Sequence, residues 1–102
     1  MPQSKKRKLP PIHPGEALHD TLNEAGLSAH ALAMALRIPA NRIAMILRGR
    51  RGITADTAMR LGRYFGTSAE MWMNLQARYD LEVAEDAFQA RVIREVLPRS
   101  AA

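Results

Sequence analysis

Apolar residues recur every three or four positions along most of this chain, which is the spacing of amphipathic helices. Between residues 27 and 51 the pattern predicts two short helices joined by a tight turn. Ser28 is placed to cap the first of them, and Pro39 suits the start of the second, where no N–H partner is needed. A small residue at Ala33 allows the two helices to cross closely and steeply, so we interpret 28–48 as a helix-turn-helix. The inward positions of the two helices are Leu32, Ala33, Leu36, Ile43, Ile46 and Leu47.

Three further helices are predicted, one before this motif and two after it. Pro14 begins the first helix of the chain, and Gly26 ends it. A fourth helix begins at Thr54. The T-x-x-E spacing of Thr67 and Glu70 is a capping box, which predicts the start of a fifth helix. No strand pattern or repeat is present, so the chain is predicted to be all-α.

A last helix is predicted from about 81 to 97, with Asp80 as its N-cap. Its apolar positions form one stripe: Leu81, Ala84, Phe88, Val92 and Val96. The predicted organisation is a basic, flexible tail at 1–11, a helix-turn-helix domain at 12–79, and the last helix at 80–102 as a dimer or partner contact. Trp72 and Leu75, with Leu81, Phe88, Val92 and Val96, are the candidate dimer or partner surface.

The composition narrows the kind of protein. The 102 residues are enough for one domain with its own core, and the absence of cysteine excludes disulfides and thiolate zinc sites. No apolar run approaches the ~20 residues of a membrane helix, and no apolar segment follows the basic start as a secretory signal requires. We expect a cytoplasmic protein. Residues 1–53 carry nine Lys/Arg and three Asp/Glu, whereas the rest carries six and seven, so the front half is expected to meet a polyanion.

The second helix of the motif is predicted to read DNA in the major groove. Asn41 can form a bidentate pair, most naturally with adenine, and Arg42 can reach either a guanine or a phosphate. The candidate base-contacting residues are Ala40, Asn41, Arg42, Ala44 and Met45, where the alanines and the methionine offer only apolar contact with thymine methyls. The candidate phosphate-contacting residues are Ser28, His30, Arg48, Arg50 and Arg51.

Each of these assignments has a plainer alternative. An arginine cluster is often a solvated loop, and Asn41 can be an ordinary exposed helix residue. The basic run Lys5–Lys8 is either a DNA-contacting arm or a solubilising tail.

Other chemistry is not predicted. His13, His19 and His30 lack metal-ligand spacing, and no nucleophile stands beside a base, so we expect no metal, no cofactor and no enzyme activity. Trp72 is better explained as a core or interface residue than as part of a ligand pocket.

Four segments in order resemble the HigA-type antitoxins, within the phage-repressor-like helix-turn-helix class. They are Pro-Ile-His-Pro-Gly-Glu at 11–16, Arg-Gly-Ile-Thr-Ala-Asp-Thr-Ala at 51–58, Arg-Leu-Gly-Arg-Tyr-Phe-Gly-Thr-Ser at 60–68 and Trp-Met-Asn-Leu-Gln-Ala-Arg-Tyr-Asp-Leu at 72–81. The resemblance covers about 11–84.

The resemblance implies a five-helix lambda-repressor-like DNA-binding domain, followed here by the additional C-terminal helix. It also implies a homodimer on a palindromic double-stranded DNA operator, repression of its own operon, and neutralisation of a small RelE-like mRNA-cleaving toxin. Two alternatives stay open: a stand-alone transcriptional regulator, and a protein-interaction antidote with weak DNA binding.

Overall fold

The computed structural model describes residues 9–100 and is entirely helical over that range. Its five helices are α1 (Pro14–Ala25), α2 (Ala29–Leu36), α3 (Ala40–Leu47), α4 (Ala55–Phe65) and α5 (Ala69–Glu95). The expected all-α, five-helix fold is therefore confirmed. The basic run Lys5–Lys8, predicted as part of a flexible tail, lies outside the described residues.

Local sequence signals set most of the helix ends. Ser28 and Thr54 are N-caps whose hydroxyl oxygens accept the N–H of Ala31 at 3.0 Å and of Thr57 at 3.3 Å. Pro14 occupies the first position of α1, and Gly26 ends that helix with a left-handed φ of 64°. These ends were predicted because each depends on residues within one helical turn.

Two predictions near α5 were wrong. Ser68, not Thr67, is its N-cap and accepts the Met71 N–H at 3.0 Å, because the Thr67 hydroxyl instead accepts the indole N–H of Trp72 at 3.2 Å. Asp80 does not begin a separate helix, since α5 runs through it without a break. Its carboxylate accepts a hydrogen bond from Gln76 one turn earlier. The predicted domain boundary between 79 and 80 therefore falls inside a continuous helix.

The core lies where α1 to α4 meet the first turns of α5. Its centre is aliphatic, with one indole: Leu18, Leu22, Leu32, Ala33, Leu36, Ile38, Ile43, Ile46, Ile53, Ala58, Leu61 and Trp72 are all buried. Every predicted inward position of the helix-turn-helix belongs to or packs against this cluster, Leu47 being only partly buried. Because both isoleucines of α3 are completely buried, the rotation of that helix is fixed about its own axis.

The second half of α5 leaves the domain. From residue 86 to residue 97 every side chain is exposed, including a row of large apolar ones. The radius of gyration is 17.1 Å and the longest extent 55 Å, whereas a compact chain of about 100 residues has a radius near 13 Å. The molecule is thus a small helical domain with a protruding arm.

Candidate DNA interface

The helix α3 presents two faces of opposite character. Ile43 and Ile46 are 0% exposed and anchor it to the core, while Ala40 and Asn41 at its start are exposed. Pro39 stands at the N-cap, immediately before the first helical residue. The three remaining candidate base-contacting residues, Arg42, Ala44 and Met45, are half-buried. The first turn of α3 therefore offers one exposed amide side chain, that of Asn41.

Three arginines follow this helix in a tight turn, residues 48–52, which we call the arginine turn. Gly49 has φ +73°, and the N–H of Arg50 reaches back to the carbonyl of Met45 at 2.9 Å, so the chain reverses within a few residues. Arg48, Arg50 and Arg51 are all exposed, and none of the ion pairs between residues 9 and 100 involves them. The result is a concentrated positive surface directly after α3.

The start of α2 adds two polar residues. Ser28 and His30 are exposed, and the Ser28 hydroxyl is engaged as the helix cap. In a helix-turn-helix the first helix crosses the DNA backbone, so this end is placed for phosphate contact. The structure thus presents all five candidate phosphate-contacting residues to solvent.

The connection between α2 and α3 depends on residues that the sequence pattern did not single out. Arg37 adopts the left-handed region, with φ 59° and ψ 44°, at the end of α2. Arg60 of α4 donates to the carbonyl oxygen of Leu36 at 2.9 Å and is itself held by Asp56 of its own helix at 3.1 Å. This arginine ties the end of α2 to α4 and so supports the angle of the motif. Residues 36 and 60 are too far apart in the chain for periodicity to reveal the contact.

The candidate dimer or partner residues divide into two groups. Trp72 is 1% exposed inside the core, so it was wrongly placed among surface contacts: its ring is needed to fill the space between α5 and the domain. Leu75 is half-buried against the same cluster. In contrast, Leu81, Phe88 and Val92 of α5, and Val96 directly after its end, are between 51% and 64% exposed.

Residues 9–100 offer neither a membrane span nor a metal-binding cluster. Within that range, every helix is too short or too polar to serve as a membrane span. Over the same residues, no three His, Asp or Glu side chains are grouped so as to hold a metal ion.

Comparison with known proteins adds independent information. The helix-turn-helix family model matches residues 18–72, which is more than half of the chain. Virulence-associated protein I of Dichelobacter nodosus is 52% identical over 96 residues, covering 93% of this chain and 87% of that protein.

Two solved structures share the fold over nearly their whole length. An addiction module antidote protein of the HigA family from Coxiella burnetii is 47% identical with a TM-score of 0.86, covering 89% of this chain and 100% of that one. The Pseudomonas aeruginosa antitoxin HigA, solved with the higBA promoter, is 49% identical with a TM-score of 0.85, covering 88% and 99%. The resemblance to HigA-type antitoxins is therefore confirmed.

Proposed function

Because this chain belongs to the helix-turn-helix family and its structural neighbours are HigA-family antitoxins, we propose that it is an antitoxin that binds operator DNA and represses its own operon. The observation that carries the proposal is the exposed first turn of α3 beside the arginine turn. A reading helix and a phosphate-binding cluster are the two components that sequence-specific DNA binding requires. This function implies that the protein works in the cytoplasm, with its operator.

The proposed contacts follow the exposure of the side chains. Asn41 pairs with an adenine edge in the major groove, and Arg42 reaches a guanine or a phosphate. Ala40, Ala44 and Met45 supply only apolar contact, so most of the affinity comes from the phosphate contacts. Those are made by Ser28, His30, Arg48, Arg50 and Arg51.

We propose that the protein binds as a homodimer, because one domain of this size covers one half-site and palindromic half-sites lie ~34 Å apart. The exposed apolar stripe of α5 is the proposed contact, formed with a second copy. Residues 80–86 of this helix carry four carboxylates, whereas 91–95 at its end carry two arginines and one glutamate, and Arg99 follows beyond the helix. An antiparallel pair of α5 helices places each acidic segment beside the basic segment of the other copy, which a parallel pair does not.

The antidote function is proposed as direct binding of a small, basic, RelE-like mRNA-cleaving toxin. Its support is the similarity to antitoxins. We expect a small basic protein to be encoded beside this gene, to co-purify with the antitoxin and to lose toxicity on co-expression. A neighbouring gene without toxicity, or the absence of a complex, would favour the stand-alone regulator.

DNA binding is tested by an electrophoretic mobility shift with the promoter of the protein's own operon and a scrambled control. Three arginines per protomer predict that log K falls against log salt with a slope of about −5 for a dimer. Failure to bind at low salt, or binding that ignores both salt and sequence, would contradict the proposal.

A second candidate function is that of an antidote with weak DNA binding. Ala40, Ala44 and Met45 favour it, because their apolar side chains have no hydrogen-bonding groups for base edges. In that case neutralisation of the partner dominates and DNA binding is weak. A variant with Arg48, Arg50 and Arg51 all changed to Ala separates the two. If it still neutralises the toxin while the wild type represses its promoter only marginally, the antidote function is the principal one.

A further inference from the structure

The side chain of Gln76 connects α5 to the chain directly after the arginine turn. The amide oxygen of Gln76 accepts the backbone N–H of Ile53 at 2.7 Å, directly after the turn. The other side of the amide donates to a carboxylate oxygen of Asp80 at 2.9 Å. Since a backbone N–H needs an acceptor and a carboxylate needs a donor, both ends of the amide are determined. The contact joins residues 23 positions apart in the chain.

The backbone of the turn is shaped to receive this amide. A β-carbon added at Gly52 would lie 3.0 Å from both the amide nitrogen and the amide oxygen of Gln76. The amide therefore packs closely against the glycine, and a β-carbon there would require the Gln76 side chain to shift by a few tenths of an ångström. Ile53 itself is 3% exposed, and its N–H depends on the Gln76 amide oxygen as its acceptor.

The other end of the arginine turn is backed by His13. A β-carbon at Gly49 would lie 3.7 Å from Cγ of the His13 ring. The Nδ1 atom of His13 accepts the Gly15 N–H at 2.8 Å as the cap of α1, and its ring packs edge-on against Tyr79 with centroids 4.8 Å apart. One end of the turn thus contacts α5 directly through Gln76, and the other end packs on His13, which contacts Tyr79 of the same helix.

From this geometry we propose that Gln76 is a positioning residue for DNA binding, which fixes the arginine turn relative to the rest of the domain. Gln76 does not contact DNA; it acts through Ile53 and Gly52 on the three arginines. The inference rests on the proposed DNA-binding function. It adds a residue of α5 to the determinants of operator affinity.

The test compares Gln76→Met with a swapped pair, Gln76→Glu combined with Asp80→Asn. Methionine keeps the length of the side chain but removes the acceptor. We expect its operator Kd to rise about tenfold and its salt slope to become shallower, because the phosphate contacts lose their alignment.

The swapped pair keeps the net charge and restores both hydrogen bonds, because the carboxylate introduced at position 76 accepts from the Ile53 N–H and from the amide introduced at position 80. The Kd and salt slope of this pair are expected to return to the wild-type values.

Two further measurements keep the outcomes distinct. Gln89→Met, at an exposed position of the same helix, is the matched control and should leave Kd unchanged. Amide hydrogen exchange of residues 48–53, measured without DNA, should accelerate in Gln76→Met and recover in the swapped pair. Unchanged exchange, or a lower melting temperature with unchanged Kd and salt slope, would overturn the inference. A wild-type protein that does not bind DNA, with accelerated exchange in Gln76→Met, would contradict only the proposed function.

Discussion

At the scale of single residues, the proposed function assigns selectivity and affinity to different side chains. Asn41 is the exposed residue on the first turn of α3 whose side chain can form a bidentate pair with a base. Arg48, Arg50 and Arg51 are the proposed phosphate contacts, which position the domain on DNA without reading the sequence. Substitutions in the two groups should therefore have effects of different kinds.

We expect Asn41→Ala to reduce discrimination at one base pair of each half-site, by the roughly 1–3 kcal/mol of a bidentate pair, while binding to unrelated DNA is hardly changed. Arg51→Ala serves as the contrast, because it should weaken operator and unrelated DNA by a similar factor and make the salt slope shallower by about 2 for a dimer. Competition binding against operators with single base changes measures both. Equal loss on all sequences in Asn41→Ala would contradict the assignment.

At the scale of helices, the close approach of α1 to α3 depends on one glycine. A β-carbon at Gly15 would overlap the carbonyl oxygen of Ile46, which is backbone and cannot move aside without displacing α3. The first turn of α1 therefore packs directly against the backbone of α3. Its position depends on this contact as much as on its own sequence.

Gly15→Ala should lower the free energy of unfolding by at least about 1–3 kcal/mol, despite the better helix propensity of alanine. Thermal denaturation followed by circular dichroism measures the change. Asn23→Ala, at an exposed position of the same helix, is the control for propensity and should be neutral or slightly stabilising. A melting temperature of Gly15→Ala equal to that of the wild type would show that the two helices are not packed at this distance.

The helices themselves were largely predictable, because a cap such as Ser28 or Thr54 and a stripe such as Ile43 and Ile46 are local patterns. Prediction failed at two capping residues that hydrogen-bond to side chains of α5 instead. Thr67 has the sequence of a cap, but the buried indole of Trp72 takes its hydroxyl. Asp80 is a residue type that often caps helices, yet no glycine or proline precedes it to end α5.

The candidate site was predicted less completely, because its supporting contacts join residues far apart in the chain. The exposed residues of α3 and of the arginine turn follow from position relative to the buried face. The support given by Gln76, Arg60 and His13 does not, because each acts on backbone atoms of another element. Only the folded chain brings those atoms together.

At the scale of the whole molecule, the protruding part of α5 has no core of its own. The exposed apolar side chains Leu81, Phe88 and Val92 on one stripe, with an acidic segment and a basic end along the same helix, are the features of a self-associating helix. Two copies of the domain would then be joined through a pair of arms.

Phe88→Asp should convert the proposed dimer into a monomer at micromolar concentration and raise the operator Kd at least about tenfold, since two half-sites are no longer bound together. Light scattering and a mobility shift measure the two effects. Ala90→Asp, on the opposite side of the same helix, introduces the same charge and should change neither. A monomeric wild type, or a dimer that survives Phe88→Asp, would contradict the proposed interface.

The continuity of α5 has one more consequence. The same continuous helix packs in the core at Trp72 and forms the proposed dimer contact at Phe88. In the proposed dimer, its length therefore sets the distance between the two DNA-binding domains. Each residue inserted or deleted between Trp72 and Phe88 moves the contact by about 1.5 Å and turns it by about 100°. Whole turns of three or four residues would preserve the paired face but alter the separation of the domains. In the proposed dimer, the length of this helix thus determines the spacing between operator half-sites that the protein can bind.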